Sequence, residues 1–328
     1  SPYFIEYKLT LNFSHSITAN LGSLNENDQS ARANISVGVR VGDYKFDNSN
    51  YSDIGLTFFG SGDDEENFKG RSIPIELDET AVRREFWLAT DAAYKQTAEV
   101  FSKKEASLKN KIRKDTTNDF MKMVPTKNYQ KIEIPMSDVA KLEEYCREVS
   151  AVFAKYPEIA ISAVAAEYPR KVIFYVNSEG TEYVKCENTS GFEILANTQA
   201  KDGMPISDYY AFYALNQSEL PTKDSLIRAA VGIAENLKAQ LNAPTLDEAY
   251  SGPVLFLGQA AAEAFAQVFA PNLVAQRTQM SDGGFFDDKQ NTAFQNKIGG
   301  RVLPEFLSVE AKPSLKVMDK TSMFGHFT

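Results

Sequence analysis

Pro2–Phe13, PYFIEYKLTLNF, alternates without a break: Tyr3, Ile5, Tyr7, Leu9, Leu11 and Phe13 fall on one side, and Glu6, Lys8, Thr10 and Asn12 on the other. Successive side chains of an extended chain point to opposite faces, so this period of two marks a half-buried strand. Ala31–Val41, ARANISVGVRV, repeats the pattern, with Ala33, Ile35, Val37, Val39 and Val41 opposed by Arg32, Asn34, Ser36 and Arg40. Between them Ser14–Leu24, SHSITANLGSL, alternates more weakly and is expected to form a strand pairing with both neighbours. Together these segments predict an antiparallel sheet with one wet face.

Beyond the acidic tract Ser61–Gly70, SGDDEENFKG, the apolar period changes to three and four. Val82, Phe86, Ala89, Ala93, Thr97 and Val100 then make one stripe of a long helix. Its far end, Lys103–Lys114, KKEASLKNKIRK, carries only Leu108 and Ile112 on that stripe and is expected to be a charged arm serving capping and solubility. A second helix follows Pro135, with Ser137 or Asp138 as N-cap and Val139, Leu142, Cys146, Val149 and Val152 on its buried stripe. Strands are expected in Glu158–Tyr168 and in Arg170–Asn188, the latter a hairpin turning at Asn177–Thr181, with Cys186 on the same side as Val184. A helix from about Lys223 to Leu241 closes an N-terminal domain, residues 1–243, and residues 244–328 begin a second, β-rich and incomplete one whose last residues read as a strand still in progress. The fold class is α+β: antiparallel sheets with long helices, followed by the start of the β-rich domain. At its head, Tyr250–Asn272, YSGPVLFLGQAAAEAFAQVFAPN, reads as a short buried strand, a tight connection and a helix stopped by a proline.

Composition narrows the function. The 328 residues are 43% hydrophobic and 24% charged, with 22 Phe and 15 Tyr, which places the chain among globular proteins. A formal net charge of -9 and the lack of a basic stripe argue against nucleic acid as a partner, because duplex affinity rests on neutralising phosphates. No apolar run is long enough to span a bilayer. Cys146 and Cys186 have neither zinc-ribbon nor CxxC spacing and read as two buried thiols. His15 and His326 stand apart from other ligands and read as surface or strand-edge residues. The acidic tract lacks the alternating carboxylates, central glycine and closing glutamate of an EF-hand, and reads as a solvated loop. Ser281–Lys289, SDGGFFDDK, places Gly283 and Gly284 beside Phe285 and Phe286, either as a lid or partner-contact loop or as a surface loop anchored by two aromatics. No dinucleotide, phosphate-loop, serine-hydrolase or HExxH motif occurs.

Six stretches in order resemble the TldD/PmbA family, whose members carry the older label "modulator of DNA gyrase" and include metallopeptidases. They are PYFIEYKLTL, SVGVRVGDYKFDN, REFWLATDAAYKQ, RKVIFYVNSEGTEYV, SGPVLFLGQAAAEAFAQVFAP and IGGRVLPEFLSVEAKPSL. In TldD-type members the helix after the GPV strand carries HExxxH, two zinc-binding histidines and a glutamate that activates water. Ungapped matching sets that motif on Ala266–Pro271, AQVFAP, so that Ala266 and Pro271 stand for the histidines and Gln267 for the glutamate. Alanine and proline side chains offer no donor, and an amide takes up no proton near neutral pH. Glu263, the only ionised side chain on this helix, is expected to be a surface carboxylate. The resemblance therefore implies the PmbA/TldE-like side of the family: no catalytic residue, no metal and no bound cofactor in this chain, with zinc in a TldD-like partner. It also implies a dimer with that partner or with itself, extended peptides as ligands, no nucleic acid or membrane partner, and a cytoplasmic setting. Export stays open because residue 1 is not Met. The alternative is a stand-alone peptide-binding or scaffold homodimer without proteolytic activity, and a third reading is an enzyme whose site lies elsewhere.

Overall fold

In the computed structural model, the structure describes residues 2–52, 71–109, 117–134, 137–244, 249, 251–273, 280–281, 294, 297–312, 315, 317–318 and 321–322. The acidic tract, the Gly283–Phe286 loop and His326 lie outside the described residues.

Strands β1 (Pro2–Asn20) and β2 (Ser23–Val41) form one long antiparallel hairpin. The separate middle strand expected over Ser14–Leu24 is not found. Nothing between Phe13 and Ser14 can turn the chain, and the parity of Tyr3 to Phe13 simply continues through His15, Ile17 and Ala19. The reversal falls at Leu21 and Gly22, whose φ values of 49° and 86° make a mirror-image turn matching the twist of the strands. Gly22 docks this tip on the end of a helix by donating its N–H to the Ser150 hydroxyl at 3.0 Å.

Short strands β3 (Tyr51–Ser52) and β4 (Arg71–Ile73) precede helix α1 (Glu79–Lys109), and β5 (Lys127–Tyr129) precedes α2 (Val139–Ala151). Four strands follow: β6 (Ile161–Glu167), β7 (Arg170–Asn177), β8 (Glu182–Asn188) and β9 (Ser190–Gln199). Ala19 pairs Val164, Ser16 pairs Glu167, Phe13 pairs Arg170 and Glu6 pairs Asn177, so β6 and β7 run in one unbroken register along β1. They are a single long strand interrupted only where Pro169 has no N–H for the ladder. Strands β8 and β9 repeat this: Arg170 pairs Asn188 and Glu167 pairs Gly191. Tyr168 N–H to His15 O (2.8 Å) and Thr189 N–H to Pro169 O (3.1 Å) carry hydrogen bonding across the interruption. Strand β10 (Pro205–Ala214) adds to β9, β5 adds in parallel to β8, and β4 adds to β2, giving a nine-stranded sheet. Helix α3 (Lys223–Leu241) follows, with the bounds expected from its sequence.

All three helices cover the face that carries the odd-numbered residues of β1. One half of that face packs Ile5, Tyr7, Leu9 and Leu11 with Ile35, Val37, Ala89 and Ala93 under α1. The other half packs Ile17 and Ala19 with Leu142, Cys146, Val149, Ile194, Leu226 and Leu237 under α2 and α3. Asp138 is the N-cap of α2, its carboxylate accepting from Lys141 N–H at 3.2 Å. The sheet therefore has one covered and one open face, as the alternation predicts.

Two further expectations are corrected. His15 is not at the surface: it is 1% exposed, its ring nitrogens each 2.7 Å from a partner, Ser137 Oγ and Asn27 Oδ1. It sits where the two core halves meet, so its odd parity buries it. Both thiols are free, but only Cys146 is buried, whereas Cys186 is half-buried because the strand carrying it lies near the sheet edge.

Past α3, α4 (Gly258–Ala264), a wide turn (Phe265–Phe269) and α5 (Ala270–Leu273) form one helical run. Met280–Ser281 (β11) pairs with β3, and β12 (Val317–Met318) pairs antiparallel with β13 (Thr321–Ser322). No described helix is long and apolar enough to cross a membrane.

Candidate functional site

The open sheet face carries the even-numbered residues of β1, and at the Phe4 end it holds a groove of about 890 Å³. Phe4 and Glu6 come from β1, Arg40 from the paired position on β2, and Tyr175 and Asn177 from β7. The hairpin after β7 adds Glu179 and Thr181, and the segment from Thr117 to Met123 forms the remaining wall. That segment is held by main-chain bonds from Phe120 N–H to Tyr44 O (3.0 Å) and Asp119 N–H to Lys45 O (3.3 Å).

Aromatic rings floor the groove. Phe4 meets Phe120 edge to face with centroids 4.9 Å apart, Tyr44 stacks on Phe120 at 6.2 Å, and Tyr175 stacks on Tyr183 at 4.7 Å. Glu6 lies over β2 because its neighbour there is Gly38, where a Cβ would come within 2.6 Å of Glu6 Oε1. Its Oε2 accepts from the Tyr175 hydroxyl at 2.7 Å. Burial first, then this bond to Glu6, pushes the Tyr175 phenol well above the ordinary tyrosine range. Glu179 Oε1 accepts a short hydrogen bond from Tyr44, which with burial raises that phenol too.

Beneath the groove lies a charged network. Asp47 is buried and accepts from Tyr3 OH at 2.7 Å, from Arg40 Nη1 at 2.9 Å and from the Ser49 hydroxyl and N–H. Burial is the largest single influence on Asp47 and pushes it upward, but the bonds from Ser49, Tyr3 and Arg40 together outweigh it and hold the carboxyl below its usual range. Lys104 is only 1% exposed, and its Nζ reaches Asp119 Oδ2 (2.7 Å), Asp47 O (2.8 Å) and Ser49 O (2.6 Å). The charged arm expected at the end of α1 is thus wrong at this residue: Lys104 continues the stripe of Ala93, Thr97 and Val100 and turns inward to a buried carboxylate. Arg40 stacks over Phe120 at 4.0 Å, which fixes the groove wall to this network.

The positions suggested by the sequence lie elsewhere. Ala266 and Gln267 sit in the wide turn and Pro271 in α5, and all three are exposed. Pro271 does not stop the helix, which runs on to Leu273. A proline ring clashes with the carbonyl four residues back and donates no N–H, and widening the preceding turn relieves both problems. The widened turn is visible in the Ala270 N–H, which bonds to Phe265 O. The strand expected over Gly252–Phe256 is also not found: Val254, Leu255, Phe256 and Leu257 are 55 to 81% exposed, with no strand beside them among the described residues to complete a ladder. Glu263 is more than a lone surface carboxylate, since it accepts from the Tyr209 hydroxyl on β10 at 3.1 Å and from Gln259 at 2.8 Å. Zinc does not fit the three positions Ala266, Gln267 and Pro271: a methyl group, an amide and a pyrrolidine ring supply none of the imidazole, thiolate or carboxylate donors it takes.

No family profile matches the chain, and no curated protein matches it. Solved structures do. A protein of Thermotoga maritima described as a "putative modulator of a DNA gyrase" aligns with a TM-score of 0.42 and 10% identity, over 71% of this chain and 44% of that one. TldE from Thermococcus kodakarensis aligns with a TM-score of 0.40 and 10% identity, over 71% and 44%. A protein of Bacteroides thetaiotaomicron, described like the first, aligns with a TM-score of 0.40 and 12% identity, over 73% and 45%. The chain spans less than half the length of each.

Proposed function

We propose that this chain is a TldD/PmbA-type protein of the PmbA/TldE-like kind, a non-catalytic subunit that completes the peptide path of a zinc-bearing TldD-like partner. The reading rests on the helix of residues 258–273, where Ala266, Gln267 and Pro271, the residues that the resemblance sets on the motif, offer neither a metal donor nor a general base. The six sequence stretches that resemble the family support it as well. Peptide engagement follows from the open sheet face, which presents Leu195, Tyr209 and Tyr213, exposed by 42, 51 and 59%, alongside that helix. An extended chain added along β10, the terminal strand of that sheet among the described residues, gains main-chain hydrogen bonds with little sequence preference.

The test is to mix this protein with a TldD-like protein carrying intact HExxxH and follow cleavage of an unfolded peptide. Cleavage by the mixture above that of the partner alone is expected. A rate unchanged by adding this chain contradicts the proposal and favours the stand-alone binding protein.

A further inference from the structure

The groove at the Phe4 end of the sheet has a charge imbalance. Four of its lining residues are ionisable as charges: Glu6, Arg40, Asp119 and Glu179. Arg40 is matched by Asp47 at 2.9 Å and Asp119 by Lys104 at 2.7 Å. Among the described residues Glu6 and Glu179 meet no cation; each is held by a tyrosine hydroxyl instead, Tyr175 and Tyr44 respectively. A phenol O–H orients a carboxylate but leaves its charge in place. Two negative charges therefore remain over a floor of aromatic rings, whose faces are themselves electron-rich.

We propose that this groove binds a basic side chain, the guanidinium or ammonium group of a peptide. Its charge meets Glu6 and Glu179, its stem lies on Phe4, Phe120 and Tyr175, and the exposed Met121 and Met123 close over it from the rim. Methionine's flexible thioether suits a wall that must fit ligands of different shape. A volume of about 890 Å³ holds one such residue with its neighbours. The two carboxylates are held in position by neutral donors, so little rearrangement accompanies binding. No residue of the helix of residues 258–273 lines this site.

The experiment uses the protein alone and two blocked tripeptides, Ala-Arg-Ala and its citrulline counterpart, which has nearly the same shape and no charge. The methyl NMR signals of Met121 and Met123 report occupancy. The arginine peptide is expected to shift both signals saturably, to bind about tenfold or more tightly than the citrulline peptide, and to weaken with added salt. The double variant Glu6→Gln with Glu179→Gln keeps an acceptor for each tyrosine and is expected to lose the same factor. Equal affinity for the two peptides, equal affinity of wild type and double variant, or no shift at Met121 and Met123 overturns the proposal. The citrulline comparison is made on the unaltered protein, so it stands even if the variant folds poorly. Because no TldD-like subunit is present, its failure is distinct from failure of the mixing assay.

Discussion

Replacing Lys104 with methionine tests how the groove wall is anchored. The side chains of Lys104 and Asp119 are 1% and 0% exposed and 2.7 Å apart. At an effective dielectric constant near 20, their gross attraction is about 6 kcal/mol, much of it offset by the desolvation of both charges. Removing one partner leaves the other charge buried, which costs about 3–5 kcal/mol. Methionine keeps the stem volume, so a cavity contributes little. The matched control is Lys95→Met: Lys95 also pairs with an aspartate at 2.7 Å, but the side chains are 71% and 53% exposed, and an exposed pair contributes about 0–1 kcal/mol. Urea denaturation measures both, the loss appearing as a lower midpoint at unchanged slope. A loss at Lys104 within about 1 kcal/mol, or no larger than at Lys95, refutes the view that this network anchors the wall.

Acid stability follows from Asp47. Its folded pKa lies below its unfolded value, so its contribution is present above the unfolded carboxyl pKa of about 3.9 and is lost as pH falls through the folded pKa. Urea midpoints between about pH 6 and pH 2 should fall on that limb, and Asp47→Asn should flatten it; an equally steep limb in the variant contradicts the assignment. Thiol labelling should separate the cysteines. Burial pushes the Cys146 thiol up to about 12, so at pH 8 the folded protein should react at Cys186 alone, with Cys146 reacting only after unfolding; rapid native labelling of Cys146 would contradict its place in the core.

Much of the fold is legible in the sequence because burial imposes a period. The alternation of Tyr3 to Phe13 and Ala33 to Val41 identifies β1 and β2, and Lys223–Leu241 ends where its stripe ends. The length of β1 is less evident, since a weaker alternation at Ser14–Asn20 resembles a new strand unless one asks where the chain can turn. Strands β9 and β10 receive no assignment from the sequence, although Phe192, Ile194 and Ala196 alternate and are fully buried. Their polar interleaving and the absence of a tight two-residue turn dilute the signal. Lys104 has a local trace, since it falls on the α1 stripe, but its partners Asp47 and Asp119 are 57 and 15 positions away, a pairing that only tertiary structure supplies. The groove is hidden for the same reason: its lining comes from β1, β2, β7, a turn and a loop. Ala266, Gln267 and Pro271 are the opposite case, because whether a side chain can hold zinc depends on its chemistry alone.

The most direct test of the account is to dialyse the purified chain against zinc, then measure bound metal per chain together with peptidase activity in the absence of any partner. The account predicts no stoichiometric zinc and no cleavage of unfolded peptides. One tightly held zinc per chain with cleavage by the chain alone would contradict it and would move the active site away from Ala266, Gln267 and Pro271.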